Sequence, residues 1–361
     1  MTPVPRYRSD LQSIPTYVPG KPVDEVAREL GLNHISKLAS NECPTEPFPE
    51  VVDAIATAAK SANRYPDSGA YALRHAIGVR NNVDPEAVWV GSGSSDLLRS
   101  VSLAVGGPGT SAVFADPSFI MYPIATRICG SEPIPVPLTS GYAHDLDAMA
   151  AAIRPDTTVV YLCSPNNPTG GHIPGDAVRD FIDGAPTSVL IVVDEAYAEY
   201  ATAPDYRSMV DVASELPNVL ALRTFSKVYG LAGLRVGYGI GSPDLLSNLR
   251  RTQAPFSVAT VAQQAALVSL EMSDRLAVRV KENDDGRTYL IEALAARGAG
   301  PAPSQANFVY FVPNRPAAEV AADFMAQGVI VRPLGPAIRV SVGTRSENQE
   351  FIDVYDRIGS R

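Results

Sequence analysis

The sequence predicts an α/β protein whose larger part is a mostly parallel sheet covered by helices. Two observations carry this prediction. Between about residues 88 and 240, short β-rich runs alternate with helical stretches. These runs are apolar along their whole length, which is typical of strands buried on both faces. The chain has 361 residues, 45% of them hydrophobic, which is enough for a large core and favours two domains.

The strands of this sheet are expected to come from seven runs. They begin at Val88, Ala112, Pro133, Thr158, Val189, Val219 and Val236. The carboxyl ends of parallel strands meet at one edge of a sheet, where ligands bind. Two polar residues occupy such ends, since Asp194 closes one run and Lys227 comes just after another. Both are therefore candidates for a functional site.

The pattern changes near residue 247. A helical stretch at 258–296 is followed by a strand-like run from Ala306, a helix at 316–327, strands at 329–332 and 337–342, and a closing helix from Ser346. This order predicts a second, smaller α+β domain. The first forty residues are rich in proline and contain no clear core, so we expect an arm. The predicted division is an arm at 1–40, a large domain at 41–246 and a small domain at 247–361.

Composition narrows the function classes. The net charge is −9, and Lys and Arg form no cluster beyond Arg250-Arg251, which argues against a nucleic-acid surface. No apolar stretch approaches the ~20 residues that a membrane span needs. The first residues lack the apolar run of a signal peptide. We therefore expect a soluble, cytoplasmic protein that binds neither nucleic acid nor membrane.

Cysteine and histidine positions give no sign of a disulfide framework or a metal site. Cys43, Cys129 and Cys163 form no Cys-x-x-Cys pair, so reduced thiols are expected. The four histidines show no metal-binding spacing. They are His34, His75, His144 and His172. We expect no metal ion in the site.

Lys227 stands out because lysine is rare in this chain. The sequence has five lysines against twenty-five arginines, and Lys227 is alone between residues 61 and 280. It follows the apolar run from Val219 and precedes a glycine-rich segment that contains Arg235. Arginine supplies most of the positive charge here, so a lysine in this setting indicates an amine that can lose its proton and react with a carbonyl group. A surface lysine is the alternative.

Five further segments, spread over nearly the whole chain, belong with the Lys227 segment to one set of motifs with a fixed order and spacing. They are Ser40-Asn-Glu, Asn63-Arg-Tyr-Pro-Asp, Ser164-Pro-Asn-Asn-Pro-Thr-Gly, Val193-Asp-Glu-Ala-Tyr and Ser304-Gln-Ala-Asn-Phe. Together they resemble the pyridoxal-phosphate (PLP) enzymes of aminotransferase fold type I, specifically the histidinol-phosphate and aromatic amino-acid aminotransferases. The resemblance implies the fold-type-I architecture, with a seven-stranded, mostly parallel sheet between helices and a smaller α+β domain.

The resemblance assigns the central chemistry to three residues. Lys227 would bind PLP covalently and then move the Cα proton of the substrate. Asp194 would hold the protonated ring nitrogen of the cofactor. Tyr197 would donate to the phenolic oxygen of the ring. The alternative for Asp194 is a helix N-cap, and Glu195 is expected to be secondary.

A glycine-rich turn at 91–96 lies between a predicted strand and a predicted helix, where backbone N–H groups favour a phosphate. It has neither the Walker lysine nor the third glycine of a dinucleotide fingerprint. The resemblance implies that the PLP phosphate is bound by Ser94, Ser95, Ser226 and Arg235, the last through a bidentate guanidinium.

Tyr65 would reach the same phosphate from a neighbouring subunit, so the resemblance implies a homodimer with shared active sites. A buried aromatic residue is the alternative for Tyr65. Phe119 matches the aromatic residue that stacks on the pyridine ring. Asn167 matches a residue that bonds the ring oxygen, and a turn asparagine before proline is the alternative.

Four residues are implied on the substrate side. Arg339 matches the arginine that binds the substrate α-carboxylate, and Arg332 matches a second basic residue for a distal phosphate or carboxylate. Tyr17 and Asn41 match an arm that closes over the substrate side chain.

The implied activity is amino transfer between an amino acid and a 2-oxo acid. The arm around Tyr17 resembles the aromatic-preferring branch of the family, which implies phenylalanine or tyrosine as the donor and 2-oxoglutarate as the acceptor. The segment 117–123 resembles the histidinol-phosphate branch instead. A PLP-dependent decarboxylase of a phosphorylated amino acid would share nearly all of the cofactor motifs. A PLP-sensing transcription regulator would need a DNA-binding helix-turn-helix, for which the first forty residues are too short and too rich in proline.

Overall fold

The computed structural model describes residues 5–16, 20–32 and 34–359. The α-helices are α1 (Val23–Leu30), α2 (Pro49–Ala59), α3 (Tyr71–Asn81), α4 (Ser94–Val105), α5 (Met121–Ile128), α6 (Leu146–Ala151), α7 (Gly175–Gly184), α8 (Val210–Glu215), α9 (Pro243–Leu249), α10 (Thr260–Leu270), α11 (Ser273–Ala296), α12 (Ala317–Ala326) and α13 (Arg345–Gly359). Single 3-10 turns lie at Leu11–Ser13, Pro85–Ala87, Ala198–Tyr200, Ala232–Leu234 and Arg250–Thr252.

The strands belong to one large and two small sheets. They are β1 (Ser36–Lys37), β2 (Val88–Gly91), β3 (Ser111–Asp116), β4 (Glu132–Pro137), β5 (Thr157–Cys163), β6 (Leu190–Asp194), β7 (Val219–Thr224), β8 (Gly237–Ile240), β9 (Phe308–Phe311), β10 (Val329–Ile330), β11 (Arg332–Leu334) and β12 (Ala337–Ser341). Within the described ranges, every helix is too short or too polar to cross a membrane.

The large sheet has seven strands in the order β2-β8-β7-β6-β5-β3-β4. Strands β3 to β7 pair in parallel, and β8 runs antiparallel to both of its neighbours. The predicted mostly parallel sheet is confirmed. Successive residues of a strand point to opposite faces, and both faces are buried here. Val160 and Ile191 join the core on one face, and Tyr161 and Val192 join the core on the other.

A second core lies in the C-terminal part of the chain. Strands β11, β12 and β9 form an antiparallel sheet in that order, and β1 pairs in parallel with β10. Helices α11 to α13 pack here through residues such as Phe324 and Phe351, whose rings stack with centroids 4.9 Å apart. Leu38, from the predicted arm, belongs to this core as well.

Helix α11 connects the two cores. Its first part contributes Leu276 to the core of the large sheet, and its last part contributes Leu290 and Leu294 to the second core. Helix α10 packs against α2 and places Ala262 and Ala265 in the large-sheet core. The division at residue 246 stays a proposal.

Two predicted elements are each split into two. The helical stretch at 258–296 forms two helices, α10 and α11, since the first helix ends at Leu270 and a new one begins at Ser273. The strand at 329–332 forms β10 and β11, because the chain changes partner at Val331: β10 pairs with β1, and β11 with β12.

Candidate active site

A cavity of about 400 Å³ opens at the carboxyl end of the large sheet. Twelve of the residues predicted from the sequence line it. They are Asn41, Ser94, Ser95, Phe119, Asn167, Asp194, Tyr197, Ser226, Lys227, Arg235, Arg332 and Arg339. These residues are far apart in sequence, and the fold brings them together because parallel strands end at a common edge.

Two predicted residues are not in this group. The Tyr65 side chain is 82% exposed and does not line the cavity of its own chain. Its ring stacks on Phe256 with centroids 4.6 Å apart. Its position contradicts the alternative of a buried aromatic. Tyr17 lies outside the described residues.

Lys227 enters the cavity from the loop after β7. Its Nζ atom lies 5.3 Å from the centroid of the Tyr197 ring. Burial, helped by the positive charges of Arg339 and Arg235, lowers the pKa of Lys227 to about 8. A larger fraction of this amine is therefore neutral near physiological pH than for an ordinary lysine, and the neutral amine is the nucleophilic form.

Asp194 is the last residue of β6 and is 1% exposed. Its Oδ2 accepts a hydrogen bond from the Tyr122 hydroxyl at 2.9 Å, and its Oδ1 accepts from the backbone N–H of Ala196 at 3.2 Å. Burial raises the pKa of Asp194 to about 6, and the two hydrogen bonds oppose that rise. Asp194 caps no helix, since the next 3-10 turn begins after Tyr197.

The turn before α4 forms a narrow cradle beside Arg235. Gly93 has φ 80°, and a Cβ atom there would lie 2.6 Å from Arg235 Nη2. Only glycine fits this position. Across the cradle, the Thr224 hydroxyl donates to Ser226 Oγ at 2.9 Å. Serine hydroxyls, a guanidinium and a helix N-terminus converge here, and this donor set suits a phosphate.

Asn41 and Asn167 line the cavity and contact other predicted site residues. Asn41 Nδ2 donates to the Tyr197 hydroxyl at 3.0 Å. Arg339 Nη1 donates to Asn167 Oδ1, and its Nη2 donates to the backbone carbonyl of Ala39 at 2.8 Å. The Arg339 guanidinium is thus held in place by neutral oxygens while it is almost fully buried.

Arg332 and Arg339 are direct partners in the register of β11 and β12. Side chains of a directly opposed antiparallel pair leave the sheet on the same face, and both arginines line the cavity. This end of the cavity is therefore cationic. Ile120 and Leu334 add apolar surface to the cavity.

Sequence reasoning missed Tyr122, the partner of Asp194. No local signal was available, because the two residues stand 72 positions apart in the sequence. Glu195 is explained by structure alone: its carboxylate pairs with Arg223 at 3.0 Å and accepts from the Ser208 hydroxyl at 2.8 Å. It supports the sheet edge next to the cavity.

Comparison with known proteins identifies the class. The sequence model of the aminotransferase class I and II family matches residues 33–354. A histidinol-phosphate aminotransferase of Moorella thermoacetica is 41% identical over 97% of this chain and 92% of its own. An aromatic amino acid aminotransferase of Nocardia farcinica is 43% identical over 96% of both chains. The crystal structure of histidinol-phosphate aminotransferase from Sinorhizobium meliloti in complex with pyridoxal-5'-phosphate superposes with a TM-score of 0.89, at 26% identity and 99% coverage of both chains.

The chain therefore belongs to the aminotransferase class I and II family. It is a PLP-dependent aminotransferase of fold type I. The residues of the cavity fit this cofactor, since a phosphate cradle, a lysine with a lowered pKa and a buried carboxylate occur in one enclosure. The predictions of family, fold, enzyme class and cofactor are confirmed.

Proposed function

We propose that this enzyme transfers an amino group between an aromatic amino acid, phenylalanine or tyrosine, and 2-oxoglutarate. The observation that carries the proposal is the buried guanidinium of Arg339 in the same cavity as Lys227. Both proposed substrates carry a carboxylate on the reacting carbon itself, and a buried arginine binds such a group in a bidentate way. The 43% identity to the Nocardia farcinica aromatic enzyme supports the choice.

Bound PLP supplies an aldehyde carbon that takes the amino group and a ring that accepts electrons. Lys227 would hold the cofactor and, once released, take the Cα proton on Nζ and return it to the cofactor carbon. Asp194 would hold the ring nitrogen in its protonated form. Tyr197 and Asn167 would donate to the phenolic oxygen of the ring.

Other residues would bind and orient. Ser94, Ser95, Ser226 and Arg235 would hold the phosphate of PLP, and Phe119 would cover one face of its ring. Their positions around the cradle at Gly93 support this assignment. These residues would fix the cofactor, and Arg339 would fix the α-carboxylate of the substrate. Different substrates would then differ only in their side chains, so the surroundings of the side chain decide specificity.

The two substrates need different surroundings for their side chains. An aromatic ring would pack on the apolar surface of Ile120 and Leu334, while the distal carboxylate of 2-oxoglutarate would pair with Arg332. One cavity with both kinds of surface suits an enzyme that binds the two substrates in turn. Tyr17 and Asn41 would close over the side chain.

Histidinol phosphate is a second candidate donor. It is favoured by the cationic end of the cavity, where Arg332 and Arg339 are register partners, and by the 41% identity to the Moorella thermoacetica enzyme. This donor has no carboxylate, so its phosphate would use the arginines.

We also propose that the enzyme is a homodimer whose subunits share active sites. The exposed ring of Tyr65, away from the cavity of its own chain, supports this arrangement. Location in the cytoplasm stays a prediction from the sequence.

The decisive experiment is a half-reaction of the PLP-loaded enzyme with single amino donors, followed by the change in cofactor absorbance. The panel contains phenylalanine, tyrosine, histidinol phosphate and an alanine control. We expect phenylalanine and tyrosine to react with the highest kcat/KM. A preference for histidinol phosphate by orders of magnitude would replace the aromatic assignment with the second candidate. Release of CO2 in place of amino transfer would indicate a decarboxylase.

A further inference from the structure

Tyr122 holds the Asp194 carboxylate from helix α5. Its hydroxyl donates to Asp194 Oδ2 at 2.9 Å, and the exposed fractions of the two side chains are 0% and 1%. The other oxygen, Oδ1, accepts from the N–H of Ala196 at 3.2 Å. With a donor on each oxygen, the plane of the carboxylate is fixed and its ionised form is favoured.

The Tyr122 ring is itself held by aromatic contacts. It stacks on Tyr161 with centroids 4.8 Å apart and an angle of 5° between the planes. It also meets the edge of Phe119, with centroids 5.8 Å apart and planes at 90°. The hydroxyl of Tyr161 shares a hydrogen bond of 2.8 Å with Ser102 on α4. The ring contacts with Tyr161 and Phe119 place the Tyr122 hydroxyl where it reaches Asp194.

We propose that Tyr122 is a positioning residue of the amino transfer, which keeps the Asp194 carboxylate ionised and oriented toward the ring nitrogen of PLP. The proposal rests on the role proposed above for Asp194. Tyr122 does not line the cavity, so it acts through the carboxylate and not by contact with substrate or cofactor.

The need for such a donor follows from burial. A carboxylate removed from water takes up a proton more readily, and a protonated carboxyl cannot stabilise a pyridinium ion. The hydrogen bond from Tyr122 opposes this effect by lowering the pKa of Asp194. The titratable or charged groups around this carboxylate are Tyr122, Cys163, Glu195, Tyr197 and Lys227.

The test uses Tyr122→Phe, with Tyr161→Phe as the matched control. Each variant removes one hydroxyl and keeps the stacked pair of rings, but only Tyr122 donates to Asp194. A hydrogen bond to a buried charge predicts a loss of about 10- to 100-fold in kcat for Tyr122→Phe. The control should stay within about threefold of wild type. Equal losses in both variants would mean a packing role and would overturn the proposal.

A binding measurement on the apoenzyme gives a second readout. We compare PLP with an analogue in which a CH group replaces the ring nitrogen. Tyr122→Phe should weaken the binding of PLP by about tenfold. The affinity for the analogue should not change, since the analogue offers Asp194 no ring nitrogen. A distorted cavity would weaken both ligands equally, and that result would overturn the proposal.

A double-mutant cycle links the two residues. If Tyr122 acts through Asp194, the change Tyr122→Phe should cost less than about threefold in an Asp194→Asn background. If Tyr122→Phe lowers kcat by the same factor in the Asp194→Asn background as in wild type, Tyr122 acts elsewhere. That result would overturn the role of Tyr122 and leave the role of Asp194 intact. An Asp194→Asn enzyme near wild-type turnover would instead overturn the role of Asp194, and the role of Tyr122 with it.

Discussion

Asp194 and Lys227 come from the carboxyl ends of adjacent parallel strands, β6 and β7, and burial moves their pKa values toward each other. The pKa of the Asp194 carboxyl rises to about 6, and that of the Lys227 amine falls to about 8. In both residues burial disfavours the charged form. Ionisation of the Asp194 carboxyl therefore depends on its hydrogen bonds, and the Lys227 amine is more reactive than an ordinary lysine. Both consequences can be measured.

Replacing Lys227 with alanine should abolish turnover, because the amine both binds the cofactor and moves the proton. Lys281→Ala is the matched control, since Lys281 lies exposed on α11 and pairs with Asp285. Borohydride treatment of the wild-type holoenzyme followed by peptide mapping should find the modified lysine at 227. A modified lysine at any other position would refute the assignment.

The lowered pKa of Lys227 predicts a pH-dependent stability of the apoenzyme. Below pH 8 the Lys227 amine is protonated in both the folded and the unfolded chain, so the folded state carries the full cost of a buried charge. Above pH 10.5, the ordinary value, both states are neutral and that cost is gone. Removal of this cost in Lys227→Met should therefore add at most about 3 kcal/mol of stability at pH 7, and under about 1 kcal/mol at pH 10.

Denaturant unfolding of both apoenzymes at the two pH values tests this prediction, because shared effects cancel in the difference. A Lys227→Met advantage that does not change with pH would reflect only the apolar side chain, and the pKa of Lys227 would then be ordinary.

Asp194→Asn keeps the shape of the side chain and removes its charge. The removal of one preorganised electrostatic partner typically lowers kcat by about 10²- to 10³-fold, and we expect a loss of this size with a smaller effect on PLP affinity. Asp205→Asn serves as the control, because Asp205 is largely exposed and pairs with His172. Turnover of Asp194→Asn within a few-fold of wild type would contradict the role of this carboxylate.

Much of the site could be predicted because its residues directly follow apolar strands. Asp194 closes β6 and Lys227 follows β7, so the common edge of parallel strands was sufficient to bring them together. The glycine-rich turn before α4 was predictable for a similar reason, since it separates a strand from a helix start. For these residues, local pattern and topology agree.

The rest depends on contacts between segments that are distant in sequence. The antiparallel direction of β8 is not visible in its apolar run, since burial on both faces gives the same pattern in either direction. The hydrogen bond between Tyr122 and Asp194 spans 72 residues and has no local signature. The break at Val331 arises because β10 and β11 pair with different strands, and no feature of the run itself requires it.

The two arginines at the cationic end of the cavity should respond differently to substitution. Arg339→Leu should lower kcat/KM for phenylalanine and 2-oxoglutarate alike, since both carry the carboxylate that it is proposed to bind. Arg332→Leu should affect 2-oxoglutarate much more than phenylalanine, since only the former has a distal carboxylate. Loss of one charge-assisted bidentate contact predicts effects of about 10- to 100-fold. Parallel losses for phenylalanine and 2-oxoglutarate in Arg332→Leu would contradict this division of roles.

Tyr65 should serve the active site of the partner subunit, and mixed dimers can test this. Consider a heterodimer of one Lys227→Ala chain and one Tyr65→Phe chain. If Tyr65 acts across the interface, the site with the intact lysine also receives an intact Tyr65, so about half of the wild-type turnover should remain. If Tyr65 acts within its own chain, neither site is intact. The reciprocal control places both substitutions on one chain and pairs it with a wild-type chain, which should reverse the two outcomes. Low activity in the first heterodimer together with half activity in the second would show that Tyr65 belongs to the site of its own chain.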